Sequence, residues 1–289
     1  MRQAIVFFIA FLLTTNCLVA KTININLSEA IEKKMVTTEG VNINGNYMGK
    51  TMSLSVTNIS KETLVIKVDN GVVFKPEDPI NQPMVIAGEP TLVIQPTKKN
   101  SVDVYTFCGN APRHCPAKEH KYTYGYKASD TLIKVLQFIK TNSLYDDLGQ
   151  SAVWAITNHN SLSDIYDTQR EAIANELLAL VMRLTNREKP QYHTVSKHDA
   201  IPDAPAYVPK TLKIIADFEL RLEAPKVLTL GVFDASGKMI QSVFENQEFG
   251  ALGHRFEVEF ESADVQSGNY YIRLKEGEKI IKEQVVKVE

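Results

Sequence analysis

Two cysteines and two histidines lie close together in the middle of the chain, and they are the side chains best suited to chemistry. Cys108 and Cys115 enclose a short loop that contains His114, and His120 follows shortly after. Thiols can form a disulfide, can bind a metal together with imidazoles, or can act as nucleophiles when a histidine takes up the proton. These three chemistries are the alternatives for this segment.

The N-terminus indicates which compartment those thiols occupy. Arg2 precedes an apolar run at residues 4–13, and residues 18–20 end in a small residue, as at a signal-peptide cleavage site. Residues 1–20 are therefore predicted to be a secretory signal peptide, whose removal also removes Cys17. The mature chain is expected to be exported, either extracellular or at the outer-membrane surface.

An even pair of cysteines in an oxidising compartment predicts a disulfide between Cys108 and Cys115. A metal site that adds His114 and His120 is the weaker alternative, because the cysteine spacing differs from that of structural zinc sites. No metal ligand and no cofactor is assigned. A cysteine-dependent hydrolase would use Cys108 as the nucleophile and His114, His120 or His159 as the base.

A second candidate segment, residues 148–157, contains the only tryptophan of the chain. Gln150 and Trp154 lie four residues apart, so in a helix they share one face. The simplest interpretation is that Trp154 anchors a core and Gln150 satisfies a nearby backbone group. In the alternative interpretation, Trp154 and His114 line a binding site.

These two segments resemble a known pair of motifs. Residues 150–154, QSAVW, resemble the glutamine motif of bacterial surface thioester domains, with Gly149 where that family has threonine. Residues 105–108, YTFC, would supply the upstream cysteine. The resemblance implies that the Cys108 thiol condenses with the Gln150 amide to form an internal thioester. An amine of a host or matrix molecule would then attack it and leave a covalent amide link.

The elements around these segments are predicted from hydrophobic periodicity. Residues 21–127 contain several short alternating runs separated by turn residues, which predicts an N-terminal β-sandwich of immunoglobulin type. Residues 128–186 change to helical spacing and predict three short helices packed on it. The first is expected to be capped by Ser129 or Asp130, the second by Asp146 or Asp147, and the third to begin near Ser163.

The remaining chain predicts a linker and a second β domain. Residues 187–210 contain four prolines and no periodicity, which is typical of a linker, and their histidines are expected to be solvated. Residues 211–289 alternate again and predict a small Ig-like β-sandwich. The predicted fold class is thus mainly β with a helical insert.

The C-terminal domain also resembles a known family. Its segments, in order to the end of the chain, resemble the sorting domain of the type IX secretion system, an Ig-like module similar to that of flagellar hook-capping proteins. They are residues 227–233, 234–238 (DASGK), 253–256 (GHRF), 267–271 (SGNYY) and 282–288. The resemblance implies that the type IX secretion machinery is a partner and that the chain crosses the outer membrane. Release or surface attachment would follow.

Composition narrows the functional class. A net charge of −2 with 44% hydrophobic and 23% charged residues is ordinary for a globular protein and gives no basis for nucleic-acid binding. No segment approaches the roughly 20 apolar residues of a transmembrane span. We expect a non-enzymatic, adhesion-type protein that binds a surface protein or glycan. A covalent thioester adhesin and a cysteine-dependent hydrolase are the alternatives.

Overall fold

The computed structural model describes residues 21–197 and 210–289. The predicted signal peptide and residues 198–209 of the predicted linker lie outside the described residues. The described chain is mainly β, which confirms the predicted fold class at that level. Within it, no helix has the length and hydrophobicity needed to cross a membrane.

Residues 21–127 form nine strands and one short helix. Each apolar run recognised in the sequence becomes part of a strand. In chain order the elements are β1 (Thr22–Asn26), α1 (Leu27–Glu32), β2 (Val36–Asn42), β3 (Met48–Asn58), β4 (Thr63–Lys67), β5 (Val72–Pro76), β6 (Met84–Ala87), β7 (Thr91–Ile94), β8 (Lys99–Cys108) and β9 (Lys121–Lys127).

Six of these strands close into a barrel in the order β2-β3-β8-β6-β5-β9, and β1, β4 and β7 form a separate three-stranded sheet. This closure corrects the predicted immunoglobulin-type sandwich. Strand β9 pairs with both β2 and β5, so the sheet has no free edge at that point. Prediction missed β2, β5 and β9 because β5 begins with three consecutive apolar residues that do not alternate and the other two are rich in polar residues.

Helices follow the barrel, as the change of period predicted. Ser129 Oγ accepts a hydrogen bond from the first turn of the first helix, and the Asp146 carboxylate does the same for the second. The third helix differs from prediction, because a separate 3₁₀ turn precedes it and it begins only at Glu171. The elements are α2 (Asp130–Asn142), α3 (Asp147–Thr157), the 3₁₀ turn (Leu162–Asp164) and α4 (Glu171–Thr185).

The C-terminal part consists of two antiparallel sheets around one core. Their strands are β10 (Tyr192–Lys197), β11 (Lys210–Arg221), β12 (Lys226–Phe233), β13 (Met239–Phe249), β14 (Gly253–Glu261), β15 (Gly268–Glu276) and β16 (Lys279–Val288). One sheet has the order β10-β11-β14 and the other β13-β12-β15-β16. Buried apolar side chains from both sheets form a single cluster between them.

Strand β10 corrects part of the linker prediction. Residues 192–197 pair antiparallel with β11, so this sheet begins well before residue 211. The segment also contacts the helical region, where the ring of His193 stacks on Tyr166 with centroids 4.5 Å apart. His193 is therefore partly buried, not solvated as expected. The short alternating run YHTVSK was missed because the four prolines of residues 187–210 favoured a linker.

Candidate functional site

Strand β8 carries the candidate cysteine and separates two cores. Successive strand residues point to opposite faces. Phe107 packs with the apolar side chains of the helices, whereas Cys108 packs inside the barrel. Tyr105 also faces the helices, where its ring stacks on Tyr145 with centroids 3.9 Å apart. The C-terminal end of β8 is therefore the place where the helical segment packs on the barrel.

The second candidate, Gln150, lies directly on Cys108. The Cys108 N–H donates to Gln150 Oε1 at 3.0 Å, and Gln150 Nε2 donates to the Cys108 carbonyl at 2.9 Å. The same N–H also lies 2.9 Å from the carbonyl oxygen of Tyr47, so it is shared between two acceptors. Both Gln150 and Cys108 are fully buried. The two residues that the sequence analysis paired, 42 positions apart, are thus neighbours in the fold.

Gly149 explains how α3 approaches β8 closely enough for these bonds. A Cβ at this position would lie 2.1 Å from the carbonyl oxygen of Leu144 and 3.0 Å from Cζ of Phe107. Neither contact is possible without movement of the backbone or of the ring. Glycine thus has a steric reason to occupy the position where thioester domains carry threonine.

Trp154 lies one helical turn beyond Gln150 and is 1% exposed. It packs in the same buried cluster as Cys108 and Cys115, and its ring is nearly parallel to that of Tyr47, with centroids 5.8 Å apart. The Tyr47 hydroxyl donates to Asp147 Oδ1 at 2.9 Å. Trp154 is thus a core contact between α3 and the barrel and does not line an open cleft.

The cysteines differ from prediction, because Cys108 and Cys115 are both buried free thiols in this structure. Cys108 Sγ packs 3.7 Å from Met84 Sδ on the adjacent strand. The loop between the cysteines is held without a cross-link. Gln82 donates to the carbonyl of Arg113, and Asn158 Oδ1 accepts the N–H of Ala111 at 3.0 Å. These bonds hold the loop in a structure where the predicted disulfide is absent.

Burial governs the ionisation of both thiols. It raises the pKa of Cys108 well above its usual range, and the neighbouring Cys115 raises it further. Burial also raises the pKa of Cys115 to about 11. Both groups are therefore protonated at neutral pH, whereas a nucleophilic cysteine needs its thiolate.

The histidines considered as partners of Cys108 are not brought to it. Within the described residues, no hydrogen bond joins Cys108 to His114, His120 or His159. The same ranges contain no group of three or more histidine, cysteine or carboxylate side chains that could hold a metal ion. Cys108 is therefore hydrogen-bonded to Gln150 and not to an imidazole.

His114 lies instead at the surface, in the wall of a cleft of about 550 Å³. The cleft lies between the segment that follows β5 and the start of β9. His120 also lines it and accepts the N–H of Ala117 at its Nδ1. The structure thus separates the two candidates for a binding-site lining, because His114 lines an open cleft and Trp154 lies in the core.

Three residues of this region were missed by sequence analysis. Tyr47 stacks on Trp154, Gln82 anchors the cysteine loop, and Asn158 ties that loop to the end of α3. All three lie outside periodic segments or at their ends. Their roles depend on contacts across the fold, and the local sequence contains no signal for those contacts.

Comparison with known proteins adds no family to this description. No protein-family model matches the chain, and no curated protein sequence matches it. The site is therefore interpreted from its own residues and from the resemblances of its motifs.

Proposed function

We propose that this chain is an exported, adhesion-type binding protein that captures an amine-bearing partner through an internal thioester between Cys108 and Gln150. The observation that carries this proposal is the paired hydrogen bonding between the Gln150 amide and the Cys108 backbone. The two motifs that resemble the thioester family meet at this point, although 42 positions separate them. Non-covalent adhesion, through a surface protein or glycan, is the broader function within which this chemistry would act.

The proposed formation step exchanges one bond for another. Cys108 Sγ attacks Cδ of Gln150, the Cδ–Nε2 bond breaks, and the amide nitrogen leaves as ammonia with the thiol proton. Negative charge develops on Oε1 during this attack, and the Cys108 N–H already donates to that oxygen. A partner amine then attacks Cδ, the C–S bond breaks, and the thiol takes the proton that the amine loses. The product is an amide link and a free Cys108.

Burial supports this chemistry better than it supports a hydrolase. A thioester is lost when water reaches its carbonyl, and both Cys108 and Gln150 are 0% exposed, so a partner amine would reach Cδ only when the contact between α3 and β8 opens. A hydrolase must regenerate a thiolate in every cycle, and the raised pKa of Cys108 opposes this. A thioester needs to form only once in each molecule, so a thiol that ionises rarely is less of an obstacle.

Intact mass of the mature protein, residues 21–289, tests the proposal. The thioester lowers the mass by one ammonia, and methylamine should add to Gln150 and restore a free Cys108. Cys108→Ala and Gln150→Ala should each abolish the methylamine adduct. Cys115→Ser is the matched control, since the second cysteine takes no part in the reaction and the adduct should persist.

Two other masses would contradict the covalent proposal. A mass two hydrogens low that recovers on reduction would indicate a Cys108–Cys115 disulfide. A full mass without an adduct would indicate two free thiols and an unreacted Gln150. Either result would leave non-covalent adhesion as the function.

The C-terminal β domain is proposed to direct export, as the resemblance to the type IX sorting domain implies. It is supported by the domain's own core, which lies between two sheets. An Ig-like identity for this pair of sheets is part of the same proposal. We expect the domain to pass through the type IX machinery and to be cleaved or retained at the surface.

A deletion in the native host tests the export proposal. Removal of residues 191–289 is preferable to removal of 211–289, because the shorter deletion would leave β10 without its partner β11. The deleted protein should accumulate in the periplasm, while the full chain reaches the surface or the medium. Delivery of both proteins to the surface would exclude a sorting role.

A further inference from the structure

The cleft lined by His114 has features of a binding site that the thioester proposal does not use. Its walls are the segment after β5, with Glu77 and Ile80, and the approach to β9, with Glu119. Its volume of about 550 Å³ is in the range of ligand pockets. This open cleft is separate from the Cys108–Gln150 contact, which is closed to solvent.

Asn81 provides a buried polar group in this cleft. It lines the cleft and is 3% exposed, and its backbone pairs with His114 in an isolated bridge. Its N–H donates to the carbonyl of Asp78 at 3.1 Å, which fixes the position of the residue. Its Oδ1 accepts no hydrogen bond from any described residue. Such an unsatisfied buried acceptor is costly, and a ligand that donates a hydrogen bond would remove the cost.

The charges of the cleft indicate what kind of donor it would accept. Glu77, Asp78 and Glu119 contribute three carboxylates, and Lys121 contributes an ammonium group. Within residues 21–197 and 210–289, no ion pair involves any of the three carboxylates. Carboxylates and a carboxamide oxygen are all acceptors, so they favour a positively charged donor.

The apolar part of the lining favours a long cationic side chain. Ile80 is 50% exposed, and both Ile80 and Pro76 line the cleft. A lysine side chain places methylene groups against such a surface while its ammonium group reaches polar partners. We propose that this cleft binds an exposed lysine side chain of a partner protein, with its ammonium group held by Asn81 and the carboxylates.

This proposal does not rest on the thioester, because recognition in the cleft requires no covalent bond. It can be tested with ¹⁵N-labelled protein, residues 21–289, titrated with a short glycine-serine peptide that contains one lysine. The expected result is saturable shifts of the Asn81 side-chain amide and the His114 backbone signals. The same peptide with acetyl-lysine, which lacks the charge, should bind about tenfold or more weakly, a loss of at least about 1.4 kcal/mol.

Charge variants separate the cleft from general attraction between the peptide and the protein. Glu77→Gln combined with Glu119→Gln keeps the side-chain shapes and should weaken binding about tenfold. Glu248→Gln, in the exposed strand β13, is the matched control and should leave affinity unchanged. Equal binding of lysine and acetyl-lysine peptides, or an equal loss in the Glu248→Gln control, would overturn the proposal. Absence of shifts at Asn81 and His114 would overturn it as well.

Discussion

The side-chain amide of Gln150 bonds to the main chain of Cys108 as a neighbouring β-strand would. One bond is 3.0 Å long and the other 2.9 Å, and both are fully buried. A residue on a helix thus extends the hydrogen bonding of strand β8. The same contact holds together the barrel and the helical segment, so it contributes to stability as long as Gln150 keeps its amide nitrogen.

Gln150→Leu should destabilise the protein by about 1–3 kcal/mol, because the Cys108 carbonyl loses its buried donor. Chemical denaturation of the wild-type and variant proteins, both with Cys108 as a free thiol, measures the difference. Gln137→Leu, on the exposed face of α2, is the matched control and should change the unfolding free energy little. An unchanged midpoint for Gln150→Leu would show that the paired bonds contribute no net stability.

Gly149→Ala should destabilise the protein by about 1–3 kcal/mol despite the higher helix propensity of alanine. The added Cβ would lie 2.1 Å from the Leu144 carbonyl, which is part of the backbone and cannot rotate away. Gly250→Ala serves as the control, because a Cβ there meets nothing within 4 Å. The melting temperature should therefore fall more in Gly149→Ala than in Gly250→Ala. Equal melting temperatures would refute the steric argument.

Tyr47→Phe should lower the free energy of unfolding by about 1 kcal/mol, because it removes the hydrogen bond to Asp147 and keeps the stacking on Trp154. Trp154→Ala should cost about 3–5 kcal/mol, since it removes the ring from a buried cluster. Denaturant unfolding measures both. Tyr126→Phe, at a side chain 49% exposed, should have almost no effect. A Trp154→Ala cost as small as that control would mean that Trp154 is not a core anchor.

Asn158→Ala should loosen the cysteine loop, because the Ala111 N–H loses its acceptor at 3.0 Å. Amide hydrogen exchange at Ala111 should become faster, while amides in β3 keep their protection. Asn142→Ala removes a comparable side-chain bond at the end of α2 and should leave Ala111 unaffected. Unchanged exchange at Ala111 in the Asn158 variant would show that other contacts hold the loop.

His193 should make the folded state less stable in mild acid. Burial lowers the pKa of its imidazole below the usual value of about 6.5, and the nearby Lys189 lowers it further. The unfolded chain therefore binds a proton first as the pH falls, so the free energy of unfolding decreases below about pH 6.5. His193→Gln should show a smaller decrease when unfolding is compared at about pH 8 and about pH 5. An identical pH dependence in both proteins would contradict this assignment.

Local patterns were sufficient to predict much of the secondary structure. Ser129 and Asp146 cap α2 and α3 because short polar side chains bond to the first free N–H groups of a helix, an interaction within a few residues. Alternation likewise predicted the strand that ends at Cys108 and most of the C-terminal strands. It could not predict β5 or β9, nor that β10 begins inside a proline-rich segment, since those strands exist through their partners.

Residue types and helical spacing, both readable from the chain, are enough to place Gln150 and Trp154 on one face of α3. What each of these side chains contacts depends on tertiary packing. The barrel closes through β9, Gly149 lets α3 approach β8, and the Gln150 amide reaches the Cys108 backbone while Cys115 stays unbonded. These contacts join positions far apart in the chain, and their geometry depends on how the barrel and the helices pack, which local periodicity does not encode.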